Sequence, residues 1–94
     1  MKAVRCCDKH VHVVDVPEPQ GEGVRVTVRS SGICGSDLHM IDAGYPIPGT
    51  LGHEVAGVLP DGRAVALEPL SPCGHCDMCV QGDYGLCRSG AAML

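Results

Sequence analysis

Apolar and polar residues take turns along two stretches of the first third of the chain. Val11 to Val16 is one, and Val24, Val26 and Val28 interleaved with Arg25, Thr27 and Arg29 is the other. A period of two places successive side chains on opposite faces, so both stretches predict half-buried strands. Pro17, Pro19, Gly21 and Gly23 between them predict a turn. Gly32 to Gly35 breaks the alternation, and Ser36, Asp37, Leu38, His39 and Met40 predict one short helical turn with a polar start. A GYPIPGT loop follows. Val55 to Leu59 and Arg63 to Leu67 flank Pro60, Asp61 and Gly62, the pattern of a tight hairpin. From Pro69 to Gly90 the periodicity fades and cysteine, glycine and proline take over, as expected of a lobe shaped by ligation. The expected class is mainly β.

Composition narrows the chemistry. A chain of 94 residues makes at most one domain with a thin core, and with no Phe, no Trp and two Tyr that core is aliphatic. Seven cysteines are the outlier. The N-terminus, MKAVRCCDKHVHVV, carries charges too often for a secretory or membrane-spanning segment, so a cytoplasmic, reducing setting is expected. In that setting clustered thiols bind metal more often than they form disulfides. The net charge is −4, and after Arg29 only Arg63 and Arg88 are basic, which argues against a nucleic-acid partner.

Cys73, Cys76, Cys79 and Cys87 form a C-x2-C-x2-C-x7-C array. Two-residue spacing lets neighbouring thiolates turn onto one ion, and four sulfurs complete the closed tetrahedral shell of structural zinc, leaving no position for substrate. An iron–sulfur cluster is the nearest rival; bacterial ferredoxins share C-x2-C-x2-C, but their fourth cysteine follows after three residues and precedes proline, whereas here Arg88 follows Cys87. His75, between ligands, is read as a solvent-facing loop residue.

A second constellation lies upstream. Cys34, Ser36, Asp37 and His39 are followed by Gly52-His53-Glu54-x-x-Gly57. Cysteine, histidine and glutamate all ligate zinc, and fewer than four protein ligands leave room for chemistry. Each piece alone is weak, since a single cysteine is most often a small packing residue.

Through GICGSDLH, GHEVAG and VALEPLSPCGHCDMCVQGDYGLC, in that order, the chain resembles the zinc-dependent medium-chain alcohol dehydrogenases, within them the polyol and threonine dehydrogenase-like branch. The resemblance implies a partial GroES-like β-barrel carrying a zinc-bound lobe at about residues 70–90. It implies Cys34, His53 and Glu54 at a catalytic zinc, with Glu54 as direct, alternate or displaced ligand. Ser36 and His39 would relay the alcohol proton and Asp37 would orient the metal-bound histidine. Cys73, Cys76, Cys79 and Cys87 would hold structural zinc. It further implies hydride transfer to NAD or NADP, a small alcohol substrate and a homo-oligomer as in relatives.

Residues 1–94 are accordingly expected to form an incomplete domain of this kind. No G-x-G-x-x-G follows a strand, so the nucleotide-binding domain and a later zinc ligand are expected to lie outside this chain, which alone should be inactive. The alternative is a stand-alone zinc-binding module on the same scaffold. Cys6, Cys7, His10 and His12 receive no role, and Tyr45 is read as either a cleft-lining or a loop-packing aromatic.

Overall fold

The structure, a computed structural model, describes residues 1–90 and 92–93. Its elements are β1 (Lys2–Cys7), β2 (His10–Asp15), β3 (Thr27–Gly32), α1 (Gly35–Ala43), β4 (Glu54–Val58), β5 (Ala64–Ala66), β6 (Leu70–Ser71), α2 (Asp77–Val80), a 3-10 turn over Tyr84–Leu86, and β7 (Ala92–Met93). They form three antiparallel sheets, β1-β2, β3-β4-β5 and β6-β7, and no closed barrel among the described residues. The mainly β expectation holds, with the barrel only partly built.

β1 and β2 pair from Lys2 opposite Asp15 to Cys7 opposite His10. Asp8 and Lys9 turn the chain in the left-handed region, with φ of 48° and 63°. That is the backbone a two-residue hairpin requires, here reached without glycine. Cys7, His10 and His12 at this tip are exposed.

The second strand lies later than the alternation suggests. Val24 stays outside it, 74% exposed, and pairing begins at Thr27. β3 then runs through Gly32, with a bulge between Val28 and Ser30, and pairs with β4, which pairs with β5 across the expected hairpin. The cross-strand partner decided the register, because alternation marks a face and not an end point. The helix is also longer than one turn. α1 continues to Ala43 and closes on Gly44 in the left-handed conformation at φ 73°, whose N–H reaches the Ile41 carbonyl at 3.0 Å.

The apolar core is thin. Among the described residues only Ala3 and Cys87 are buried apolar side chains, while Ile33, Val80 and Leu86 are 79%, 75% and 69% exposed. Backbone pairing therefore carries much of the architecture. Gly57, buried in β4, sits where β3 crosses closest: a Cβ there would meet the Thr27 carbonyl oxygen at 2.3 Å and Val26 Cγ1 at 2.7 Å. The first of these is backbone and cannot swing away. Gly57→Ala should destabilise the β3-β4-β5 sheet by about 1–3 kcal/mol, read as a lower denaturation midpoint. An unchanged midpoint would show that the two strands are not so closely apposed.

Candidate metal centres

The pairing of β3 with β4 builds the upstream site. Gly32 stands opposite Glu54 at the end of the ladder. Cys34 is two residues beyond the end of β3 and His53 is one residue before β4, so one register brings both to the same edge. Donor atoms of Cys34, His53 and Glu54 lie within 4.8 Å of one another. Glu54 folds back over Gly32, where a Cβ would meet Oε2 at 2.7 Å. A side chain on residue 32 would push this carboxylate out of the cluster.

α1 supplies the support. The Cys34 N–H donates to Asp37 Oδ2 at 3.1 Å, while Asp37 Oδ1 lies 3.3 Å from His53 Nδ1. One carboxylate thus accepts from the backbone of one candidate ligand and stands beside the ring of another. Both Asp37 and His53 are well covered, at 13% and 12% side-chain exposure. A proton held on Nδ1 by the carboxylate leaves Nε2 as the ring's lone-pair nitrogen. Ser36 Oγ faces that Nε2 at 3.4 Å. His39, three residues further along α1, is exposed. Of the constellation read from the sequence, Cys34, Ser36, Asp37, His53 and Glu54 are brought together, while His39 is exposed on α1 and makes no hydrogen bond to them.

An open cleft of about 500 Å³ beside the cluster is lined by Ser30, His53, Glu54, Val55, Ala66 and Leu67 among others. Tyr45 is not part of it; it flanks a separate groove with Cys6, Asp8 and Lys9.

In the four-cysteine lobe, backbone N–H groups point at sulfur. Cys76 N–H reaches Cys73 Sγ, Cys79 N–H reaches Cys76 Sγ and Cys73 N–H reaches Cys87 Sγ, each at 3.4 Å. All four sulfurs lie within 4.8 Å of one another, with Cys73 and Cys79 at 3.9 Å. A tetrahedron with metal–sulfur distances of 2.3 Å has edges of about 3.8 Å, so the cluster fits zinc. In the metal-free lobe, N–H donors from His75 and Cys76 lower the Cys73 thiol to about 6. N–H donors from Arg88 and Cys79 lower Cys76 as well. Cys79 is pushed up to about 12, first by burial and then by its sulfur neighbours. His75 is exposed.

The sequence reading passed over two lobe contacts, Arg88 with Asp77 and Tyr84 with Glu68. The Arg88 guanidinium donates to both Asp77 carboxylate oxygens, and the Tyr84 hydroxyl donates to Glu68 Oε2 at 3.1 Å. Only the fold brings these partners together; Asp77 and Arg88 do stand next to ligand cysteines, which was the available signal.

The described residues thus combine a mainly β scaffold with one histidine–cysteine–glutamate cluster and one four-thiol cluster. The chain belongs to the alcohol dehydrogenase GroES-like domain family, whose pattern matches residues 20–93. It is 36% identical over 93 residues to a sorbitol dehydrogenase of Halalkalibacterium halodurans, covering 83% of this chain and 27% of that protein. It is 38% identical over 89 residues to the L-idonate 5-dehydrogenase (NAD(P)(+)) of Escherichia coli, covering 76% and 26%. Galactitol-1-phosphate dehydrogenase from Escherichia coli superposes with a TM-score of 0.84 at 37% identity, over 100% of this chain and 32% of that one. The chain thus spans about a quarter of the length of these curated relatives.

Two expectations follow for the clusters. Asp37→Asn should lower metal affinity of the upstream cluster by about 10- to 100-fold, measured by competition with a chelator, because the ring loses its anionic partner. Unaltered affinity would mean that His53 needs no such anchor. If the lobe holds zinc, stripping metal should expose residues 70–90 to protease, since zinc binding of about 10 kcal/mol would stand in for an apolar core there. Equal cleavage with and without metal would remove that role.

Proposed function

We propose that this chain is the zinc-binding N-terminal part of the catalytic domain of an NAD(P)-dependent alcohol dehydrogenase that oxidises a secondary alcohol or polyol to a ketone or aldehyde. The observation that carries this reading is the meeting of Cys34, His53 and Glu54 beside Ser36, on an Asp37 anchor, at the edge of an open cleft. Cys34 and His53 would hold the catalytic zinc, and Glu54 would ligate it directly or step aside. Zinc bound there would supply Lewis acidity, which lowers the pKa of an alcohol hydroxyl. Ser36 Oγ would take up the proton and His39 would pass it to solvent, so no charged base need be buried. A nicotinamide cofactor would accept the hydride.

Cys73, Cys76, Cys79 and Cys87 would hold a second zinc with a purely structural role, because four protein donors fill its shell. The sorbitol and idonate dehydrogenases among its relatives support a polyol or sugar-derived alcohol as substrate. The wide exposure of Val24, Ile33 and Leu86 supports a larger catalytic unit over a free-standing metal module. Association into a homo-oligomer is part of this proposal on the family resemblance alone, and a reducing cytoplasm is the compartment that suits seven free thiols.

The test is metal content per chain by elemental analysis, on the wild type and on Cys34→Ala and Cys76→Ala. About two zinc ions, falling to about one in each variant, would support both sites. About one zinc lost only with Cys76→Ala would overturn the catalytic cluster as a metal site within this chain, and iron or no metal would overturn the whole reading.

A further inference from the structure

The four cysteines are not held alike. Cys73, Cys76 and Cys79 sit on one short segment that runs from a loop into α2, where Cys76 N–H points at Cys73 Sγ and Cys79 N–H at Cys76 Sγ. Such a three-thiol knuckle is pre-formed by local chain geometry. Cys87 comes after seven further residues that leave the end of α2 and pass through the 3-10 turn, and it alone of the four is buried. Bringing it in means closing a loop, and something must hold that loop shut.

Two contacts do so. Cys73 N–H reaches Cys87 Sγ at 3.4 Å. The second joins the two residues that directly follow Cys76 and Cys87. Asp77 directly follows Cys76 and Arg88 directly follows Cys87, and the guanidinium fork meets both carboxylate oxygens, its NH2 group at 2.7 Å from Oδ2. Two parallel donors from a planar cation fix direction as well as distance, which a single contact cannot.

We propose that the Asp77–Arg88 ion pair is a latch that keeps Cys87 in the thiolate cluster and so sets how slowly the lobe releases its metal. This rests on the reading of the four cysteines as a zinc site. Opening the latch would free Cys87 to withdraw, leaving Cys73, Cys76 and Cys79 as the residues that would hold a bound ion. Arg88 acts through Cys87 and is a positioning residue.

The experiment measures zinc release to an excess of a chromogenic chelator from zinc-loaded protein carrying Cys34→Ala, so that the lobe is the site observed. Arg88→Gln and Asp77→Asn should each release zinc about two- to fivefold faster, the range expected of an exposed, well-aligned pair. The charge reversal Asp77→Arg with Arg88→Asp should restore slow release. With both partners 57% or more exposed, raising salt to about 1 M should speed the parent protein and leave Arg88→Gln unmoved. The cobalt-substituted forms should all keep a four-thiolate spectrum, whereas Cys87→Ser should shift to three. Equal release rates in the parent and Arg88→Gln, or failure of the reversal to restore slow release, would overturn the latch alone. Absence of any zinc that Cys76→Ala removes would overturn the four-cysteine reading and the latch with it.

Discussion

The antiparallel register of β3 on β4 is the constraint on which the upstream cluster depends. With Gly32 opposite Glu54, the two strands end together and their continuations, Cys34 on one side and His53 on the other, emerge at one edge. A slip of one residue would turn Glu54 to the opposite face of the sheet and separate it from both. Gly57 permits the close approach further down the same ladder, and Gly32 leaves room for the Glu54 carboxylate at its end. Glycines at these two points are therefore geometrical requirements of the cluster as much as of the sheet.

α1 converts this edge into a centre with defined donors. Its first turn presents Ser36 and Asp37 together, and Asp37 satisfies the Cys34 N–H with one oxygen while facing His53 Nδ1 with the other. A helix start has free N–H groups to satisfy, and a carboxylate near it is favoured by the helix dipole. Here the same side chain also orients a ring, so a local capping need and a long-range ligand need are met by one residue.

The lobe follows another logic. Val80 and Leu86 lie open to solvent, and the one buried side chain in the segment is a cysteine. Local N–H groups lower Cys73 and Cys76 while burial and sulfur neighbours raise Cys79, an arrangement in which a cation relieves the conflict between crowded thiols. The lobe and the upstream sheet thus represent two ways for a short, aromatic-poor chain to hold its shape. One uses backbone ladders and the other a ligand cluster.

The two clusters were legible in the sequence because short spacing along the chain already constrains which side chains can meet. C-x2-C-x2-C needs no fold to bring its thiols near one another, and GHE places two donors side by side. The β character was legible as well, since alternation reports one buried face. The start of β3 at Thr27, the extension of α1 to Ala43 and the separation of Tyr45 from the cleft were not, because each is settled by a partner distant in sequence. The same holds for the Asp77–Arg88 pair. The sequence by itself determined which donors exist and which are local neighbours; only the tertiary structure decided that Cys34 meets His53 and that Arg88 meets Asp77, because contacts across a loop depend on strand register and turn geometry that residue identity alone does not specify.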